Sequence, residues 1–457
     1  MASSHCSIAR LCLLLVFCFI SAHSTSSTSH YYDEQESVYQ VLEAINSDID
    51  WRSLFPDDFC VSAPHGIVCE YFSDENDTVT PHITELNFGS VSDYSPNPPC
   101  SFNSTLSPLL SSFTYLRKLF FYQCFTETMV SFPWFLSTLG STLEELVFID
   151  NPSLVGTLSG NLGNLTRLRR FILSGTSVSG AIPDEIGGLL ELQQVTISRN
   201  CFHGIVPQSL GNLKKLKVLD LSYNGLEGNL PESIGKMTEL VKLDLGSNHF
   251  DGGIPESLVG LQELEFLDLS YNRFGNFGIP LFLAEMPSLR EVYLSGNPLG
   301  GQIPEIWEKL GGILGLGLSG LGLVGKIPAS MGVFLRNVCF LVLDQNKLEG
   351  TVPDEFGLLE SVHEMNLENN KLSGKLPFSA NFSARIRGKL KLAGNPNLCI
   401  DGDLSSAQDK SSLGYLKSCN KPNKPDAVLF SFSESSSPVN SSLLLIIFLG
   451  LFLTFCL

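Results

Sequence analysis

Three aspartates, Asp220, Asp244 and Asp268, recur at a constant spacing of 24 residues. Such a ladder of carboxylates would bind a cation or a basic peptide. The plainer reading, which we favour, is that aspartate is the ordinary filling of a repeated strand, LDLS. The chain has 8 histidines. Of these, His5 and His23 lie in an apolar N-terminal stretch, while His203 and His249 occupy different places in turns two apart and make no metal pair. No nucleophile stands at a recognisable spacing from a base. The residues therefore suit recognition, with no catalytic group, metal or cofactor expected.

A second column is more informative. Arg170, Lys242, Phe266, Tyr293 and Phe340 fall beside the apolar positions of successive strands, and Arg199, Tyr223 and Tyr271 fall at strand exits. Exposed aromatics and arginines are the usual carriers of interface energy, although isolated apolar residues on a surface are normal. These eight are the candidate partner-binding residues. One turn differs from the rest: Gly315, Gly317, Ser319 and Gly320 fill its outward positions. Two readings stay open there, a bare strip that a partner's backbone approaches or a tolerated weak repeat.

A regular array must position these residues. Turns begin at Leu143, Leu168, Leu192, Leu216, Leu240, Leu264, Leu289, Ile313, Val338 and Val362, in steps of 24 or 25 residues, with a rougher turn at Leu116 and fragments near Ile83 and Leu390. In the unit LxxLxL the last two leucines are two apart, so both face one side of a short strand. An asparagine follows in nine turns, among them Asn151, Asn224, Asn248, Asn272 and Asn346. A buried loop needs its N–H and C=O groups paired, and a carboxamide supplies both donors and an acceptor. Cys124, Thr176 and Leu321 depart from the pattern. Each turn then carries Gly and an apolar–Pro pair such as Leu230-Pro231 or Ile254-Pro255. Gly permits a sharp bend and Pro interrupts regular helix, so the back of each turn is expected to be extended and irregular.

The ends indicate the compartment. Residues 1–24 have a basic n-region, an apolar run and small residues, as a secretory signal peptide does. Residues 443–457 are almost wholly apolar and follow a Ser-rich stretch. Fifteen residues are fewer than the ~20 that cross a bilayer. The pattern matches a glycosylphosphatidylinositol attachment signal, with Ser435 the candidate attachment residue; a short single-pass helix is the alternative. The formal net charge of −18 shows no basic footprint for nucleic acid.

Twelve cysteines suit an oxidising compartment. Cys60 with Cys69 and Cys399 with Cys419 flank the repeats and read as disulfide-stapled caps, with Cys100 and Cys124 a third pair. Cys124 equally reads as a buried free thiol in the asparagine position. Cys201 and Cys339 lie six turns apart, on the order of 30 Å, and are expected to be unpaired. Sequons at Asn76, Asn103, Asn164 and Asn381 are expected glycan sites.

The consensus LxxLxLxxNxLxGxIP, over about Leu116 to Pro377, resembles the plant-specific leucine-rich repeat. The stretch through Val38, Leu42, Ile45, Trp51, Cys60 and Cys69 is similar to the N-terminal cap of plant receptors. The segments GGILGLGLSGLGLVGKIPASMG and CFLVLDQNKLEGTVPDEFG resemble small receptor-like proteins of the Piriformospora indica-insensitive protein 2 group and, more distantly, TOO MANY MOUTHS. The resemblance implies a leucine-rich-repeat solenoid: a curved right-handed superhelix with a parallel β-sheet on the inner face, short 3-10 turns behind, and disulfide-stapled caps. It predicts a signal peptide (1–24), a cap (25–82), repeats (83–398), a second cap (399–420), a Ser/Pro-rich stalk (421–442) and an anchor tail (443–457). It further implies a kinase-less receptor-like protein on the extracellular face of the plasma membrane, acting in growth or defence signalling. Its partners would be a peptide, a microbial component or a receptor-kinase co-receptor. An inhibitor of a cell-wall-degrading enzyme is the alternative.

Overall fold

The computed structural model describes residues 26–73, 77–90, 97–400 and 416–419. The expected signal peptide, Asn76, the stalk with Ser435 and the apolar tail lie outside the described residues. The chain divides into two compact units, Met1–Val155 with Asn164–Thr176, and Gly156–Gly163 with Ser177–Leu457.

In the first unit the helix Ser26–Ile45 buries Val38, Val41, Leu42 and Ile45. These lie three or four apart and so share one face. The chain leaves the helix at Asn46, whose carbonyl accepts from the buried indole of Trp51 at 2.8 Å. Asp50 caps the next short helix, Trp51–Leu54, by accepting from Ser53 N at 3.2 Å. A disulfide between Cys60 and Cys69 ties the helix Phe59–Ser62 to the strand Ile67–Ser73. That strand pairs antiparallel with Val79–Gly89, which then pairs parallel with Lys118–Tyr122. Glu145–Thr157 adds the next parallel partner. Phe88, Phe121 and Phe148 stack beneath this sheet at 5.3 and 5.1 Å between ring centres. Here rings fill the core where the second unit uses leucine.

The second unit is built from three-residue strands in exact parallel register. Leu219, Leu243 and Leu267 are opposite one another and fully buried, and Val292, Leu316, Leu341 and Met365 continue the row. A one-residue slip would turn every leucine to solvent, so the hydrophobic pattern holds the register. Behind the strands lie 3-10 turns such as Gln208–Asn212, Glu232–Lys236 and Glu256–Gly260, each directly after a proline. They stack so closely that a Cβ on Gly211 would collide with the Ser233 carbonyl.

Buried asparagines bind each turn to the one before it. Asn272 Nδ2 donates to the carbonyls of Leu245 (2.9 Å) and Leu269 (3.1 Å), and its Oδ1 accepts from Phe250 N at 3.0 Å. Asn224, Asn248 and Asn346 bond in the same way. Leu321 replaces one asparagine, and Asn346 of the following turn compensates by accepting from both Leu321 N and Leu323 N.

Two expectations need correction. The back of the turns is not wholly irregular, because a second set of short parallel strands runs through Cys201–Gly204, Gly225–Asn229 and His249–Asp251 and resumes from Val324–Lys326 onward. The extended backbone beyond each asparagine supplies this ladder before Gly204 or Gly228 bends it away at positive φ. Cys399 and Cys419 are bridged across its last two strands. The third pair is present as expected: Cys124 is bridged to Cys100, with Cα atoms 5.0 Å apart, so the alternative of a free thiol falls, while Asn151 accepts from the Cys124 N–H. Cys201 is likewise disulfide-bonded rather than free. Cys339 is the free cysteine among the described residues.

Candidate functional site

The outward face of the second unit's strands presents two aligned rows. One runs Val218, Lys242, Phe266, Glu291, Gly315, Phe340 and the other Asp220, Asp244, Asp268, Tyr293, Gly317, Val342. Tyr293 therefore aligns with the aspartates, and Glu291 takes the place beside Phe266. Parallel pairing brings residues 24 or 25 apart in sequence into contact. The Lys242 ammonium lies 5.0 Å from the Phe266 ring centre, and the Phe266 and Tyr293 rings are 5.7 Å apart. An ammonium over a ring face is attracted by its quadrupole, so the three side chains form one continuous surface.

Lys242 is already held by carboxylates. Its Nζ stands 3.4 Å from Asp220 and 3.2 Å from Asp244. Burial lowers the Lys242 pKa, but the two negative charges outweigh that effect and leave it raised. Asp244 is pushed up to about 6, first by burial and then by the charges of Asp220 and Asp268. Asp268 is raised by burial, although it accepts from Ser270 N at 2.8 Å. The carboxylate ladder thus exists, but Lys242 and loop N–H groups occupy it. Among the described residues, no group of three or more His, Cys, Asp or Glu is placed to hold a metal ion.

Tyr293 corrects the reading of the glycine strip as bare. Its hydroxyl donates to Glu291 at 2.7 Å, and its ring lies across the next strand. A Cβ on Gly315 would stand 2.6 Å from the Tyr293 hydroxyl, and one on Gly317 would stand 2.8 Å from its Cδ1. Both glycines are buried. They admit a tyrosine of the preceding turn.

At the strand exits the backbone must turn left-handed just before each buried asparagine. Arg199, Tyr223 and Tyr271 have φ of 55°, 54° and 53° there, and Gly296 and Gly320 hold the same position in later turns. Bulky residues rarely adopt this conformation, yet it swings their side chains outward: Tyr223 is 59% and Tyr271 58% exposed. Phe340, 45% exposed, stands beyond the glycines. Arg170 belongs to the first unit, where it reaches Glu145 at 3.3 Å beside a cluster of Phe120, Val147 and Ile172. Of the sequon residues, Asn103, Asn164 and Asn381 are exposed.

Sequence reasoning missed two residues of this face. Glu291 orients Tyr293. Asp344 stands two residues beyond Val342, where Ser198, Ser222, Ser270, Ser295 and Ser319 stand in earlier turns and Glu368 in the next.

Comparison with known proteins places these features in context. Leucine-rich-repeat family models match residues 190–250, and again 263–286 and 288–310. The chain is 37% identical over 138 residues to Protein TOO MANY MOUTHS of Arabidopsis thaliana, covering 30% of this chain and 26% of that protein. It is 34% identical over 143 residues to Piriformospora indica-insensitive protein 2 of the same plant, covering 31% and 32%. Receptor like protein 29, also of Arabidopsis thaliana, is 33% identical over 165 residues, covering 35% and 34%. The chain thus spans about a quarter to a third of the length of these curated relatives. The plant peptide hormone receptor RGFR1, solved in complex with RGF2, is 26% identical with a TM-score of 0.57, over 70% of this chain and 47% of that one. The Arabidopsis thaliana GASSHO1/SCHENGEN3 ectodomain shares the fold at a TM-score of 0.65 and 24% identity, over 80% and 44%.

Proposed function

We propose that the chain is a leucine-rich-repeat protein of the plant receptor-like kind, a cell-surface recognition module whose strand face binds a peptide or protein ligand. The observation that carries this reading is the joined surface of Lys242, Phe266 and Tyr293, with Tyr223 and Tyr271 projecting at its edge. Aromatic side chains that no core position requires are the usual anchors of an interface. Further support comes from RGFR1, a similar chain that is a peptide hormone receptor.

In this reading the chain supplies surface and a partner supplies the kinase, in growth or defence signalling. The apolar C-terminal stretch serves as a glycosylphosphatidylinositol attachment signal with Ser435 modified, and Asn76, Asn103, Asn164 and Asn381 carry glycans. Among the described residues no helix is long and apolar enough to cross a membrane. Phosphatidylinositol-specific phospholipase C should release the protein from intact membranes. Retention together with the peptide 443–457 would favour a single-pass helix.

Proximity labelling at the cell surface, followed by mass spectrometry, tests the recognition role. A receptor kinase or secreted peptide should be enriched with the wild-type chain and lost with Phe266→Ala/Tyr293→Ala. Equal enrichment by both chains would remove the strand face from consideration.

A further inference from the structure

The return loop of the turn beginning at Leu264 departs from its neighbours. One residue more separates Asn272 from Pro280 than separates Asn248 from Pro255 or Asn297 from Pro304. The back ladder is broken here: its regular pairing stops at His249–Asp251 and resumes with the bridge between Gln302 and Val324. The backbone takes positive φ at Asn276 and Gly278, and Phe277 between them stands 75% exposed. After the proline comes Leu281, 65% exposed, where Asp184, Gln208, Glu232, Glu256, Glu305 and Asp354 stand in other turns. Ala329 and the buried Phe378 are the other exceptions in that column. Phe282 follows Leu281, where serine or glutamate is usual and Ile306 is the other apolar residue. Phe277 and Leu281 do not serve the core, which Phe274, Ile279 and Leu283 of the same turn already fill.

Single apolar residues on a surface are ordinary, but several gathered round a hollow mark a place of interaction. Ile254, Phe277, Leu281, Phe282 and Leu299 line an open cavity of about 240 Å³. The Phe277 ring leans toward the preceding turn, where a Cβ on Gly253 would stand 3.5 Å from it. Gly278 leaves space beside it, since a Cβ there would meet nothing within 4 Å. Pockets that enclose a small ligand whole run to roughly 300–1,000 Å³. This one is smaller and open, the size for a side chain presented by a larger molecule. The charged residue in its wall is Glu256, which is exposed and, among the described residues, engaged by no ion pair. Glu232 stands at the same place one turn before it and Glu305 two turns after.

We propose that this hollow docks a protein partner through an aromatic or leucine side chain with a lysine or arginine beside it. The apolar group enters between Phe277 and Leu281, and the cation meets Glu256. A second copy of the chain is the poorer occupant, because two faces bearing the same acidic column repel and the chain carries a net charge of −18. A basic partner is drawn to both the column and the chain. The hollow lies off the strand face, so the proposal does not depend on that face binding anything.

The test uses the full chain and a fluorinated probe, acetyl-(para-fluorophenylalanyl)-arginine amide, whose fluorine NMR line broadens on weak binding to a large protein. Unlabelled dipeptide amides then compete with it. Phe-Arg should displace the probe best, Phe-citrulline roughly two- to fivefold less well, and Gly-Arg at least about tenfold less well. Leu281→Glu restores the kind of residue usual in its column, so it should melt as the wild type does while probe affinity falls at least about tenfold. Phe277→Ser should lose as much, and Glu256→Gln should erase the preference for arginine over citrulline. Absence of broadening, equal displacement by the three competitors, or undiminished broadening in a folded Leu281→Glu chain would overturn the proposal. So would loss of the probe in the Phe266→Ala/Tyr293→Ala chain beside an unaffected Leu281→Glu chain, which would put the probe on the strand face. Wild-type self-association in analytical ultracentrifugation, abolished by Leu281→Glu, would give the hollow to a second copy and overturn it equally.

Discussion

The Tyr293 ring of one strand rests on Gly315 and Gly317 of the next, so close that a Cβ on Gly315 would lie 2.6 Å from the tyrosine hydroxyl. Gly315→Ala should therefore displace Tyr293 and break its 2.7 Å bond to Glu291. The tyrosine pKa is raised by burial and then by that bond, so displacement lowers it toward the ordinary value. Ultraviolet titration of the phenolate, wild type against variant, measures this. An unchanged titration would mean that the ring does not lie on the glycine. The φ of Gly315 is not left-handed, so alanine does not strain the backbone itself.

Asp244 makes stability depend on pH in a direction opposite to an ordinary ion pair. Its pKa is raised from 3.8 to about 6 in the folded chain. Between those values the native state binds a proton that the unfolded chain does not. Its contribution is therefore fully present below about 3.8 and is lost as pH rises through about 6. Relative to Asp244→Asn, the wild type should gain melting temperature as the pH is lowered from about 7 to about 4. A difference that stays flat or falls on acidification would contradict the crowded-carboxylate account.

Core and ladder positions should fail by different mechanisms. Leu267 is fully buried, and Leu267→Ala should cost roughly 2–5 kcal/mol through the cavity left behind. Asn272→Ala strands the Phe250 N–H and leaves the Leu245 carbonyl with Asn248 as its remaining side-chain donor, the unpaired buried group costing roughly 1–3 kcal/mol. Denaturant unfolding gives both values. The ladder account further requires Asn346→Ala to cost more than Asn272→Ala, because Asn346 Oδ1 serves the N–H groups of both Leu321 and Leu323. Equal losses would refute that distinction.

The repeat was legible because its rules are local. Leucines two apart choose a face, asparagine satisfies a bend, and Gly and Pro mark the return, all within one turn. What was not legible depends on contacts between turns. The lateral lean of Tyr293 onto Gly315 cannot be read from either turn alone, and the strip looked bare for that reason. The alignment of Glu291, rather than Tyr293, with Phe266 is by contrast local, because each stands two residues beyond the first leucine of its turn, Leu264 or Leu289. Asp344 looked like one more strand-end polar residue, because its unpaired oxygen shows only when burial and hydrogen bonds are known. Cys201 was expected to be unpaired because the cysteines of the two end segments were set aside and Cys339 is too distant, yet it is disulfide-bonded.

The central claim, that the strand face of the second unit is a recognition surface, is tested most directly by partner capture with the Phe266→Ala/Tyr293→Ala chain, alongside a thermal melt. Neither side chain belongs to the fully buried leucine row, so the melt should shift little. Removing interface anchors of this kind typically costs 2 kcal/mol or more, about a thirtyfold loss of affinity. Capture reduced by about that factor beside a preserved melt is the predicted result. Undiminished capture with an undiminished melt would contradict it.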